Sequence, residues 1–395
     1  MASPGFNLRL HLYGTQGSGS VFPSRTERIA FERRGHQQLM RGVFEDLARH
    51  TDASGRIACT VDDLLGGPAT PATLATYAQR FEGPEPRVYG GWTTCLRIET
   101  ADDYDIVFDC GSGFRNCAYD LQQKWGDRPE RHVHIFGSHS HLDHTEGFDQ
   151  AAVCFDSRNH LHIYGNEQFL RALDYTLGIF SRAVDPSAQG VQTPIFFGIM
   201  PATFTAVSLG DVPHPHRRSG ERLALNSAQH ALEEPIRLGA TTIRAFEVFH
   251  PAPCLAYRVE HRGSVFVFCT DHELWHGDPA HPDGQRSREA EQRLVEHATG
   301  ADLVYRDGQY MLSEYYGTMG VGSSAPIPRV GWGHSCFEDV IDMAHACRVR
   351  RTLIGHHDPN RGWSERNRID ESLARRTSGG ECHIELARAE TTFDL

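Results

Sequence analysis

The chain has 395 residues, a formal net charge of -12, and 39% hydrophobic and 23% charged residues. That size and balance suit a soluble globular protein of one large domain or two ordinary ones, and the acidic surplus argues against wrapping long nucleic acids. No apolar run approaches the roughly 18 residues of a membrane span, and the first dozen positions show no basic segment leading into an apolar one, so no membrane anchoring or secretion is expected and a cytoplasmic location is. A small phosphate ester stays compatible with the acidic balance, because bound cations would make a site locally positive. Ten cysteines are scattered without a C-x-x-C pair, several inside apolar runs such as Val265-Phe266-Val267-Phe268-Cys269. They read as buried, reduced thiols.

In chain order, residues 8–13 alternate as an opening strand, and Gly14-Thr15-Gln16-Gly17-Ser18-Gly19-Ser20 follows as a tight loop. No Gly-Lys-Ser/Thr comes after it, so it is not a P-loop. Residues 25–86 are charged, partly helical (42–49 and 73–81) and contain the loop Gly66-Gly67-Pro68-Ala69-Thr70-Pro71. They read as an insertion or cap, either a lid or a homodimer contact. Segments 93–99 and 105–109 form a strand pair that ends at Gly111-Ser112-Gly113, and a helix covers 114–124. A strand at 132–136 leads into a histidine-rich loop, a second strand covers 160–165 and a helix 167–179. Residues 183–235 are Pro-rich and unassigned, with Pro213-His214-Pro215-His216 as loop. Strands follow at 242–249, 255–259 and 264–269, a helix at 287–298, a strand at 301–305, a helix at 336–347 and a strand at 351–354. Two halves, each of strands followed by helices, predict an α+β fold. It would be an αββα sandwich forming a single domain over 1–395, with 25–86 inserted.

Ser138-His139-Ser140-His141-Leu142-Asp143-His144 places four groups able to bind a metal within six residues, just past a strand. Imidazole nitrogen and carboxylate oxygen suit Zn²⁺ and similar ions. Three more candidates share that position: His250 after the strand at 242–249, Asp271 after 264–269 and His356 after 351–354. Strand ends along one sheet edge point into one cleft. Two ions need about seven protein ligands if one carboxylate bridges. The assignment is His139, His141 and His250 on one ion, Asp143, His144 and His356 on the other, and Asp271 between them. Each late residue has a plainer reading. His250 precedes a proline and ends a strand, Asp271 caps a turn, and His357 competes with His356.

On these residues the chain resembles the metallo-β-lactamase superfamily, and within it the branch holding tRNase Z and the phosphoribosyl cyclic phosphodiesterases. The resemblance covers residues 5–24 and 87–395. Beside His139-x-His141-x-Asp143-His144 it rests on Tyr89-Gly90-Gly91-Trp92-Thr93-Thr94-Cys95, Phe108-Asp109-Cys110-Gly111-Ser112-Gly113, His250-Pro251 and Thr270-Asp271-His272-Glu273. It rests also on Asp307-Gly308-Gln309-Tyr310, Trp332-Gly333-His334-Ser335 and His356-His357-Asp358-Pro359. The family implies the αββα fold, two divalent ions (Zn, with Mn or Fe open) and hydrolysis by a metal-bound hydroxide. His144 separates the chain from di-iron oxygen reductases, which carry Glu there. Asp271 stands where some lactam hydrolases place a cysteine, and Trp92 where many relatives have Asn. The long arm with which tRNase Z holds tRNA is not recognisable.

Relatives with a His-Ser/Thr pair at 334–335 hold that His near the scissile phosphate. His334 is therefore the candidate proton donor to the leaving oxygen, while Ser335 also reads as the N-cap of the following helix. Asp143 is the second catalytic candidate, orienting the attacking water. Arg258 and Tyr310 are candidates for substrate contact. The expected function is a dinuclear phosphodiesterase acting on a small cyclic or nucleotide-like phosphodiester. Two alternatives are a lactone, ester or thioester hydrolase using the same metals, and a metal-binding sensor without turnover.

Overall fold

The computed structural model describes residues 5–81, 89–178, 199–210, 227–278, 280–377 and 382–395. The chain separates into two compact units, one formed by Met1–Phe22 with Tyr89–Leu395 and the other by Pro23–Val88.

In the larger unit, alternating and continuous apolar runs become strands because each must bury one or both faces. The first sheet contains β1 (Leu8–Gly14), β2 (Cys95–Thr100), β3 (Asp105–Phe108), β4 (Arg131–Phe136), β5 (Asn159–Gly165), β6 (Thr203–Leu209) and β7 (Ser227–His230). The second contains β8 (Ile236–Leu238), β9 (Thr241–Val248), β10 (Cys254–His261), β11 (Ser264–Cys269), β12 (Leu303–Asp307), β13 (Arg351–Gly355) and β14 (His383–Leu386). A short β15 (Thr392–Asp394) closes the first sheet beside β1. Strands β3 to β7 run parallel, and so do β11 to β14. Since β9 and β11 are both antiparallel to β10, β9 points the same way as β11.

The sheets share one core. Leu10, Ile98, Phe108 and Phe136 from the first meet Tyr257, Phe266, Phe268, Tyr305 and Leu353 from the second. Phe108 sits at the seam, its ring centroid 5.0 Å from Phe268 and 5.8 Å from Phe266. The helices of the smaller unit, α1 (Arg25–Arg49), α2 (Val61–Leu65) and α3 (Pro71–Gln79), precede those that cover the sandwich. The outer face of the first sheet is covered by α4 (Phe114–Trp125) and α5 (Glu167–Gly178) through Phe114, Leu121, Phe169 and Leu170. The second sheet is covered by α6 (Pro282–Ala298), α8 (Phe337–Ala346) and α9 (Trp363–Thr377), with the short α7 (Leu312–Tyr315) between α6 and α8. This is the expected αββα order.

Several elements differ from expectation. The helix expected at 42–49 begins at Arg25, because Ser24 and Glu27 form a reciprocal capping box that starts it early. The unassigned stretch holds β6 and β7 in its described part; the loop expected at Pro213-His214-Pro215-His216 lies outside the described residues. Ser335 does not cap α8. Cys336 occupies that position without a side-chain cap, and the Ser335 hydroxyl instead donates to the carbonyl of His272. The smaller unit is held by its own contacts: Phe81 packs where Gly42 has no side chain, and Tyr77 donates to Asp46 at 2.9 Å. The ten cysteines are unpaired, and all except Cys59 are buried. Among the described residues no helix is long and apolar enough to cross a membrane.

Candidate metal centre

Strands that run the same way leave their C-terminal ends on one edge, and the polar residues just past those ends converge. Asp109 follows β3, His139 follows β4, His250 follows β9, Asp271 follows β11 and His356 follows β13, while Asp307 ends β12. Three of them leave the strand in the left-handed region: Asp109 at φ 59°, Asp271 at 47° and His356 at 52°. Asp and His tolerate that conformation better than most residues, though it still costs energy, and it turns each side chain off the sheet.

All seven predicted ligands come together. Asp271 lies at the middle and its two oxygens face different partners. Oδ1 is 3.1 Å from His356 Nε2 and 3.4 Å from His144 Nε2, whereas Oδ2 is 3.4 Å from His139 Nε2 and 3.9 Å from His250 Nε2. On the Oδ1 side, Asp143 Oδ2 is 3.1 Å from His356 Nε2 and 3.4 Å from His144 Nε2. On the other side, His141 Nδ1 is 3.3 Å from His250 Nε2. Two donors bound tetrahedrally at about 2.0–2.1 Å stand roughly 3.3 Å apart, so these separations are those of ligands around an ion.

The hydrogen bonds behind the histidines fix which nitrogen faces inward. His144 Nδ1 donates to Asp109 at 2.7 Å, and His250 Nδ1 donates to the Gly333 carbonyl at 3.0 Å. The Ser138 hydroxyl donates to Asp109 at 2.7 Å and lies 3.0 Å from His139 Nδ1, whose proton it accepts. The Gln309 side-chain Nε2 lies 2.7 Å from His356 Nδ1 and holds that ring in place from behind. The Nε2 atoms of His144, His250 and His139 therefore face the centre, free to give a lone pair to an ion. His139 Nε2 is buried without a hydrogen-bond partner, as a donor atom meant for an ion would be. Gly17 and Gly333 make room for this arrangement, since a Cβ at either would collide with the ring of His356 or His250.

The electrostatics agree with a cation site. Burial opposes ionisation of Asp271 and Asp143, but the neighbouring imidazoles outweigh it and hold both carboxyls well below the usual range. Burial pushes His139 well down and His250 down to about 4. His144 goes the other way: burial opposes its protonation, yet Asp271, Asp143 and Asp109 together raise it. Three carboxylates around one ring need positive charge, and divalent ions would supply it.

His334 joins the cluster. Its ring stacks on that of His356 at 5.0 Å, and its buried Nδ1 lies 3.3 Å from Asp307 and 4.0 Å from Asp271. That nitrogen makes no geometrically formed hydrogen bond, so its attraction to Asp307 is electrostatic. Burial opposes protonation of His334, and the proximity of Asp307, Asp271 and Asp143 more than offsets it, raising its pKa.

The structure separates the remaining alternatives. His357 is turned away, with Nε2 2.7 Å from the Ala387 carbonyl, so His356 is the residue at the cleft. Arg258 is not at the site: it binds Glu260 and the His297 carbonyl on the far part of the second sheet. Tyr310 is 1% exposed and packs on His334 at 6.0 Å, as support rather than as a surface for substrate. Roles for Asp109, Ser138, Gln309 and Glu273 were not foreseen. Asp109 carries the same signal as the ligands, a carboxylate just past a strand. Buried Glu273 accepts from Gly331 and Gly333 at 2.8 and 2.7 Å, and so holds the carbonyl that orients His250.

Comparison with known proteins accords with the fold. The family model for the beta-lactamase superfamily domain matches residues 104–357, more than half of the chain. The structure of Zn²⁺-bound PqqB from Methylobacterium extorquens aligns with a TM-score of 0.52 at 11% identity, covering 98% of this chain and 100% of that one. Human tRNase Z, short form, aligns at 0.48 with 14% identity over 98% of each chain. YhfI from Bacillus subtilis, a metallo-β-lactamase fold protein, aligns at 0.47 with 11% identity over 98% of this chain and 100% of that one. No curated protein matches the sequence. The chain belongs to the metallo-β-lactamase superfamily, whose members are mostly metal-dependent hydrolases.

Proposed function

We propose that the chain is a dinuclear metal-dependent phosphodiesterase acting on a small cyclic or nucleotide-like phosphodiester. His139, His141 and His250 would hold one ion, Asp143, His144 and His356 the other, and Asp271 both. The observation that carries the two-ion reading is the division of Asp271, Oδ1 toward His144 and His356 and Oδ2 toward His139 and His250. When bound, the ions supply an activated water and positive charge for the phosphoryl oxygens. Zn²⁺ fits the all-N/O set, as do Mn²⁺ and Fe²⁺.

The chain's own groups do the rest. Asp143 is fixed by the Ser18 amide, which donates to its Oδ2 at 2.7 Å, and from that position it would orient the attacking water. His334 lies beside Asp271 and His356, within the donor cluster, with its buried Nδ1 3.3 Å from Asp307. It holds a proton for the leaving oxygen, which a phosphodiester with an alkoxide leaving group requires. Asp307 keeps that ring oriented and attracts its positive charge.

The test compares bis-p-nitrophenyl phosphate and a cyclic nucleotide phosphodiester with an acyl lactone, using protein loaded with Zn²⁺ or Mn²⁺. Turnover of the phosphodiesters supports the reading. Turnover of the lactone alone transfers the site to carbon-ester chemistry, and failure to bind any transition metal removes its basis.

A further inference from the structure

Outside the centre, three side chains from distant positions meet near the start of α8. They are His276, which lies five residues past Asp271, Cys336 at the N-cap of α8, and Asp339 in its first turn. His276 Nε2 lies 2.9 and 3.0 Å from the two oxygens of Asp339, and one donor atom from each of the three residues falls within 4.8 Å of the others. Cys336 is fully buried, Asp339 is 8% exposed, and a quarter of the His276 side chain reaches solvent.

The geometry points to a separate divalent-cation site of Zn²⁺ type at His276, Cys336 and Asp339. Imidazole, thiolate and carboxylate are ligands that Zn²⁺ takes, and three protein ligands leave a position for water from the exposed side of His276. Burial first, and then the negative charge of Asp339, Glu338, Asp307 and Glu273, keep the Cys336 thiol protonated without an ion; a divalent cation would offset that charge. Without an ion the only positive charge available inside the triad is a proton on His276. An arriving divalent ion displaces that proton and the thiol proton of Cys336, and both leave to solvent. The site would tie the segment after β11 to the start of α8. Cys336 is two residues past His334, so this ion would brace the loop that carries His334 and the Gly333 carbonyl.

The Cys336 site has a signature the main centre lacks, because all seven candidate ligands there are nitrogen or oxygen. Protein stripped by chelator and reloaded with Co²⁺ should show a thiolate-to-cobalt charge-transfer band. Cys254 lies against the main centre, its Sγ 3.8 Å from His139 Nδ1, so Cys254→Ser is the control. The expected result is a band in the native chain and in Cys254→Ser, its loss in Cys336→Ser, and one ion fewer per chain in Cys336→Ser by elemental analysis. Absence of the band in the cobalt-saturated native chain, or its persistence in Cys336→Ser, overturns the proposal. If circular dichroism shows Cys336→Ser to be unfolded, His276→Gln decides: its ion count should fall by one, and an unchanged count refutes the site. These readouts do not depend on turnover or on the two-ion assignment.

Discussion

Asp109→Asn tests how the centre is held. Asp109 is fully buried and accepts three short hydrogen bonds, from the Ser138 amide at 2.6 Å, the Ser138 hydroxyl at 2.7 Å and His144 Nδ1 at 2.7 Å. Asparagine has nearly the same shape and tolerates the left-handed backbone at φ 59°, so strain is not what changes. One oxygen becomes an NH₂ group. If it takes the place of Oδ2, it faces the His144 donor; if it takes the place of Oδ1, it faces the Ser138 amide, which cannot rotate away. Either way a buried donor loses its acceptor, at a cost of about 1–3 kcal/mol. The cheapest relief is for His144 to shift its proton to Nε2, which removes the lone pair directed at the centre. Metal affinity should therefore fall about 10- to 100-fold, or roughly 1.4–2.7 kcal/mol. The assay is chelator competition on stripped protein, paired with urea denaturation of the ion-free form. Affinity unchanged to within about twofold, well below that expected loss, would show that Asp109 does not set the tautomer of His144, and the account of the supporting hydrogen bonds would fail.

Three further outcomes are expected. His334→Gln should lower kcat by roughly 10²- to 10⁴-fold on a phosphodiester with an alkoxide leaving group and far less on a p-nitrophenyl ester, whose leaving group needs no proton; equal losses on both would assign His334 to structure alone. Lys124→Met leaves Asp105, 1% exposed in its side chain and 2.9 Å from Lys124 Nζ, short of its closest cation, although Arg97 remains at 3.4 Å. Loss of about 3 kcal/mol in chemical denaturation is expected, at the low end for breaking a buried pair, and a loss below about 1 kcal/mol, the level of an exposed pair, would contradict it. Glu99 is held down to about 2 by the nearby His11 imidazole, against the opposing effect of burial, and by Lys124 at 3.2 Å. Because the folded value is depressed, its contribution is present above the unfolded value of about 4.5 and fades as pH falls toward 2. The stability gap between the native chain and Glu99→Gln, about 2 kcal/mol near neutrality after allowance for partial exposure, should thus shrink below pH 5; a gap constant with pH in denaturation curves would count against this.

Much of the centre is legible in sequence because it follows one rule, a polar residue just past an apolar run. The rule finds His139, His250, Asp271 and His356, and the tight spacing of His141, Asp143 and His144 adds the others. It fails where backbone geometry decides. His356 and His357 are consecutive, and only the left-handed turn at His356 sends the first into the cleft and the second toward Ala387. Ser335 looks like a cap by residue type, but its hydroxyl is used by the His272 carbonyl and by Arg306. The C-terminal helix α9 was not anticipated, because Ile369 and Leu373 are the main apolar contacts of a segment rich in Arg and Glu. Strand β15 has three residues, too few to show a period, and exists through its pairing with β1.

The ligands are drawn from opposite layers of the sandwich: His139, His141, Asp143 and His144 from the first sheet's side, His250, Asp271 and His356 from the second. Cations seated among them would rivet the two halves together at their open edge. Prising the layers apart and emptying the centre then become a single event, so the free concentration of the ion in the surrounding medium would govern how long the chain survives heat or protease.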